Sequence, residues 1–227
     1  NLPDFTNMES FGYNYLREPL QALNMVYPHK DLNNINNLIG KKGLSNIMNY
    51  EQGEIRYNYE YKPNIIEEYG NIFHPDNIGK YSSKIENICN IIKKSKGIVM
   101  IYSQYIDGGV IPLALALEEM GFSRHGINNE TQNLFKTSPT EKIDAITYKT
   151  KEEGIEFNPA KYMMITGEKT LSPNNLENLK YITNPDNKNG EKVKVVLITK
   201  AAAEGLDFKN IRQLHILEPW YNTNRTE

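Results

Sequence analysis

Cysteine is almost absent from these 227 residues, and Cys89 stands alone. One thiol builds neither a disulfide framework nor a cysteine-based zinc site, so a reducing, intracellular compartment is expected. Long apolar runs are missing too. None approaches the roughly 20 residues of a membrane-spanning helix, and the polar stretch from Asn1 to Glu9 does not read as a signal peptide. No membrane partner is therefore expected. The chain also lacks a dominant charge: 26 Lys and Arg stand against 28 Asp and Glu, a net of −2. That argues against a strongly basic nucleic-acid binder. It leaves room for a protein that grips a phosphate backbone through a few aimed donors, because such contact is local. His29, His74, His125 and His215 follow no ligand spacing, so no metal site is expected. His215, inside an apolar stretch, reads as a satisfied core histidine.

What is present suffices for a buried core. Hydrophobic residues make up 39% and charged residues 24%, which suits one large domain or one domain with an appendage. Residues 1–79 show no sustained period and read as an irregular, mostly helical or extended leading segment packing on a neighbour. Leu32 to Met48 fits a short helix ending near Gly40 and another from Leu44, and Ile55–Tyr61 alternates like a half-buried strand.

From residue 80 the pattern becomes orderly. Ser82 or Ser83 caps a helix with Ile85, Ile88, Cys89, Ile91 and Ile92 on one stripe, and Gly97 stops it. Ile98–Tyr102 reads as a buried parallel strand, Ser103–Gly109 as a polar turn, and Val110–Met120 as a helix with Pro112 in its first turn. Residues 124–160 are poorly patterned and read as an insertion or long surface loop. Lys161–Ile165 is a strand ending in Thr166-Gly167. Ser172-Pro173 opens a helix with Leu176, Leu179 and Ile182 facing inward. Val193–Ile198 is the strongest strand, a helical turn spans Lys200 to Glu204, and Leu214–Leu217 is a last strand. Strand, turn and helix in alternation predict an α/β fold: an open, mostly parallel sheet with helices on both faces.

The informative stretch is Val195 to Asp207, V-V-L-I-T-K-A-A-A-E-G-L-D. A buried strand runs into a polar turn, and open α/β sheets bind ligands beyond the carboxyl ends of their strands. Thr199 sits there, where its hydroxyl and the following N–H groups can meet a phosphate. Gly205 permits a positive φ or a close backbone approach, and Asp207 can accept from a ribose hydroxyl or an arginine. A helix-capping glycine with an incidental aspartate is the plainer alternative. Ser103 and Gln104 read equally as loop residues, and Lys200 with Glu204 as a solvated helical pair.

In order and spacing, four segments resemble the second RecA-like lobe of superfamily 2 helicases: Gly97–Gln104 with its helix, Ile165-Thr166-Gly167, Thr199–Asp207, and Leu214–Asn224 with Glu-Pro-Trp-Tyr-Asn. The wording is similar to ATPases of large cytoplasmic DNA viruses, the poxvirus-type early transcription factor and nucleoside triphosphatase helicases and their giant-virus relatives. The resemblance covers residues 80–227. It implies a RecA-like lobe contacting nucleic acid, DNA or RNA, through Ser103, Gln104, Thr166, Gly167, Thr199 and Lys200, with Gly205 and Asp207 lining a nucleotide cleft. ATP and Mg²⁺ would be held mainly by a first lobe, the partner in the same polypeptide, with transcription machinery a further partner. The host cytoplasm or the virion is the implied location.

The departures matter as much. No Gly-x-x-x-x-Gly-Lys-Ser/Thr loop occurs, since Gly40-Lys41-Lys42-Gly43 lacks the leading glycine and the hydroxyl residue. The family's arginine-finger motif is expected just after Glu227, Arg225 being too early for it. The expectation is thus a lobe truncated before that motif, with no catalytic residue of its own and no ATP hydrolysis alone. A non-catalytic α/β binding module is the alternative from another class.

Overall fold

The computed structural model describes residues 8–52, 56–126, 132–200 and 207–218. Gly205, Trp220, Tyr221 and Arg225 lie outside them. So does nearly all of the helical turn expected from Lys200 to Glu204.

The leading part is built of helix α1 (Met8–Asn24), helix α2 (Gly40–Ile47), an antiparallel hairpin of β1 (Met48–Gln52) and β2 (Arg56–Tyr61), and helix α3 (Pro63–Tyr69). Of the strand expected at Ile55–Tyr61, Arg56–Tyr61 is present, with a partner the alternation did not reveal, and Ile55 lies outside the described residues. α2 begins at Gly40 where a helix end was expected. Gly40 takes a φ of +55°, which glycine adopts without a Cβ penalty, and the chain uses it to enter the helix. Met25, Tyr27, Leu44, Ile47, Tyr59 and Phe73 from this part are buried in the same cluster as the sheet's first face.

Helix α4 (Ser83–Ile92) follows. Ser82 caps it, its hydroxyl accepting from the Ile85 N–H at 3.0 Å. Ile85, Ile88, Cys89 and Ile92 are buried, whereas Ile91 is only half-buried at the stripe's edge. Burial pushes the Cys89 thiol up to about 12, so it packs as a small apolar group. Strand β3 (Ile98–Tyr102) comes next. A π-helical turn (Ile106–Val110) then feeds directly into helix α5 (Ile111–Glu119), where a polar loop was expected. Gly109 makes it possible, since a Cβ there would sit 2.0 Å from the Ser103 hydroxyl.

The remaining elements are β4 (Ser123–Arg124), β5 (Lys161–Ile165), α6 (Asn175–Ile182), β6 (Val195–Ile198) and β7 (Ile211–Ile216). The five-stranded sheet has the order β4-β5-β6-β3-β7 and every pairing is parallel. Its two faces alternate along each strand. Val99, Ile101, Tyr162, Met164, Val195 and Leu197 face the large core with α4 and α5. Ile98, Met163, Ile165, Val196 and Ile198 face a smaller one with Ile182 of α6. The α/β class with helices on both faces is as expected, and the central strands read as continuous apolar runs because both faces are covered.

Three further expectations change. Residues 124–160 do not skirt the surface: Leu134, Phe135, Ala145 and Ala160 are buried. The carboxylate of Glu118 binds this segment down, accepting from the Leu134 N–H (2.7 Å), the Phe135 N–H (2.9 Å) and the Tyr162 hydroxyl (2.6 Å). Leu176 is 71% exposed, because α6 starts at Asn175 and Ser172 is used elsewhere, so that turn faces solvent. His215 is not a satisfied core residue. It is half-buried on an edge strand, and its Nε2 has no hydrogen-bond partner among the described residues.

Candidate functional site

Register brings separated parts of the sequence into one row. Ile165, Ile198 and Tyr102 are paired across β5, β6 and β3, and Tyr102 pairs with Ile216 of β7. The next residues, Thr166, Thr199, Ser103 and Leu217, therefore leave the sheet side by side at its carboxyl edge. Ligands of open α/β sheets bind at this edge, because helix and turn N–H groups gather there.

Thr199 joins two turns. Its N–H donates to the Ile165 carbonyl (3.2 Å), and its hydroxyl accepts from the Gly167 N–H (3.2 Å), across 32 residues of sequence. Thr199 is 5% exposed, while Gly167 is exposed at the tip. Thr166 is fully enclosed. Its N–H donates to Ser172 Oγ at 2.7 Å, its hydroxyl lies 2.9 Å from the same oxygen, and Asn175 Nδ2 donates to its carbonyl at 2.8 Å. The Thr166 side chain thus frames the loop from inside, and the backbone at Gly167 forms the outer surface. Lys200 is half-buried just beyond, and Asp207 is exposed.

Ser103 and Gln104 meet a residue to which the sequence reading assigned no role. Glu218, fully buried just past β7, contacts the Ser103 hydroxyl at 2.5 Å and accepts from the Gln104 N–H at 3.2 Å. Asn24, at the end of α1, donates to the same carboxylate at 2.7 Å. Lys84 donates to the Leu217 carbonyl (2.7 Å) and to Asn24 Oδ1 (3.1 Å). Burial raises the Glu218 carboxyl, and the Ser103, Asn24 and Gln104 donors pull it back. Ser103 is therefore turned inward, leaving Gln104, half-buried, nearer the surface. A charged residue directly after an apolar strand was the one available signal for Glu218. Its partner Asn24 lies 194 residues away, and no local pattern shows it.

Gly40-Lys41-Lys42-Gly43 opens α2 with no strand before it, and a Cβ on Gly43 would lie 2.6 Å from the Tyr27 ring. That is helix packing, not a phosphate cradle. Among the described residues no group of three or more His, Cys, Asp or Glu could hold a metal ion.

No protein-family model matches the chain. Curated relatives do match. A termination factor NPH-I homologue of African swine fever virus (isolate Pretoriuskop) is 32% identical over 155 residues, 64% of this chain and 22% of that protein. A protein of Acanthamoeba polyphaga mimivirus named for an ATP-dependent RNA helicase (R563) is 27% identical over 152 residues, 66% of the chain and 22% of its own length. A helicase-named protein of invertebrate iridescent virus 3 (087L) is 25% identical over 155 residues, 66% of the chain and 13% of that protein. The chain is related to viral superfamily 2 helicase-like proteins. It spans about a fifth of the length of the first of these relatives. The parallel sheet with helices on both faces is consistent with the RecA-like fold that the relationship implies. No described helix is long and apolar enough to cross a membrane.

Proposed function

We propose that this chain is the second RecA-like lobe, over residues 80–227, of an ATP-dependent superfamily 2 helicase or translocase of viral type. Residues 1–79 pack on the lobe. The observation that carries the reading is the row at the sheet's carboxyl edge, where the Thr199 hydroxyl receives the Gly167 N–H. One bond links the two turns, so a change at one is felt at the other. Gly167, Thr199 and Lys200, with Gln104 one strand over, form the nucleic-acid face; Ser103 and Thr166 shape it from beneath. Gly205 and Asp207 line the nucleotide cleft. ATP with Mg²⁺ is bound mainly by a first lobe of the same polypeptide, a reading supported by the ATP-dependent helicase name of the mimivirus relative. When bound, the nucleotide supplies the free energy of phosphoanhydride hydrolysis. This chain's part is to couple cleft closure to its grip on the strand.

Thr199→Ala is expected to lower nucleic-acid stimulation of ATP hydrolysis by about tenfold, the worth of one charge-assisted contact and its supporting bond. Stimulation at the wild-type level in that variant would overturn the assignment. The African swine fever virus relative bears the name of a termination factor, and this favours a second reading: a transcription-associated ATPase that moves on duplex without unwinding it. A strand-displacement assay separates the two, because duplex-stimulated hydrolysis without displacement selects the second.

A further inference from the structure

At the sheet's edge, β4 runs into His125, and the loop after β5 folds across it. Between them lies a small cavity of mixed polar and apolar lining with about 20 Å³ of room, bordered by Arg124, His125, Leu171, Ser172, Asn174 and Asn178 among others. Arg124 is only 5% exposed and His125 only 7%. A guanidinium placed so deeply needs partners for its N–H groups. Its Nη2 donates to the Leu171 carbonyl, but Nη1 has no partner, and neither has Nδ1 of His125. Glu118 feels the guanidinium, yet its oxygens are taken by Leu134, Phe135 and Tyr162. No Arg124–Glu118 ion pair forms among the described residues.

His125 stacks on Tyr181 with ring centroids 4.4 Å apart, which fixes its plane. Burial, with Lys161 nearby, pushes its imidazole down to about 4, so near neutral pH it offers a ring N–H and no charge. One fixed cation and one neutral donor at the same small cavity make a donor set for an oxyanion oxygen. The room is that of about one water-sized group, which excludes a base or a nucleoside and admits a single phosphate oxygen. Both nitrogens are shut off from bulk water. The cavity wall is also the loop of the site above: Ser172, which lines it, holds Thr166.

We propose that Arg124 and His125 form a phosphate seat that extends the strand track from the Thr199–Gly167 turns to the β4 edge, taking one phosphodiester of bound single-stranded nucleic acid. The seat rests on the reading under Proposed function. Its test is the anisotropy of a fluorescein-labelled single-stranded oligonucleotide, titrated at several salt concentrations with the protein at its native length. Arg124→Gln removes the charge and, being too short to reach as far as Nη2, the bond to the Leu171 carbonyl as well. It is expected to bind about tenfold more weakly, with the salt slope reduced by about 0.7, the value for one phosphate on a single strand. Asn178→Asp sets a carboxylate at the rim without touching the Arg124 bond, and it too is expected to weaken binding. This second variant keeps the test decisive if Arg124→Gln does not fold. Wild-type affinity and slope in the folded variants would assign the cavity to a water and overturn the seat alone. A raised KM for ATP with unchanged oligonucleotide affinity would make it a nucleotide contact and overturn it as well. Wild-type protein that binds no oligonucleotide would overturn both the seat and the reading beneath it.

Discussion

Single residues here act mainly through buried polar atoms. Glu118 is 1% exposed, and burial pushes its carboxyl up to about 7, against the pull of Tyr162 and two backbone N–H groups. A carboxyl raised in the folded state adds stability that is complete below its unfolded value of 4.5 and is lost as pH rises through about 7. The thermal midpoint of the wild type is therefore expected to fall between these pH values. Glu118→Gln, which cannot ionise, should flatten that interval in a thermal melt series. A wild-type profile that rises there would show the ionised form to be the stabilising one. Glu118 was not legible in the sequence. It sits in a helix that carries two adjacent glutamates, both of them buried, and nothing local separates such a pair from a solvated one.

At the scale of elements, sequence patterns placed strands better than turns. Ile98–Tyr102 and Lys161–Ile165 stand where expected, because strands covered on both faces must be continuously apolar. The turn after β3 differs from expectation, since its geometry is set by a contact between backbone and Ser103 rather than by polarity. Gly109→Ala is the sharp test. Its Cβ would lie 2.0 Å from Ser103 Oγ and 2.9 Å from Ser103 Cβ, so the turn or the strand end must move. A loss of about 1–3 kcal/mol is expected in the denaturant midpoint, along with weaker oligonucleotide binding, because Gln104 moves with the strand end. Unchanged stability would mean that the π-turn relaxes freely. Leu176 shows the opposite failure. Its spacing suits a buried helical face, but the helix begins one residue before it, and that turn meets solvent.

For the whole molecule, the leading helix and the sheet are joined by Asn24, Glu218, Ser103 and Lys84. Asn24→Ala removes one of the three donors to the buried Glu218 carboxylate, and Glu218→Ala takes the shared acceptor from Asn24, Ser103 and Gln104, each at roughly 1–3 kcal/mol. Because both act on one network, the double variant is expected to cost less than the sum, and a double-mutant cycle by urea unfolding measures the difference. Additive losses would show that the leading helix and the sheet edge are independent. The shared core, from Tyr27 and Phe73 to Val99 and Leu197, predicts that both parts unfold in one transition.

The sequence by itself determined the α/β class, the core strands and the candidate turns at Ser103, Thr166 and Thr199. Period and apolar runs record which backbone is covered, and that information is local. Tertiary structure alone decided that these turns stand in one row, that Thr199 answers Gly167, that Thr166 faces inward, and that Glu118, Arg124 and Glu218 are buried polar anchors. Those facts depend on strand order and on partners tens to hundreds of residues away. Burial of a charged side chain is a property of what surrounds it, not of the residues beside it in the chain.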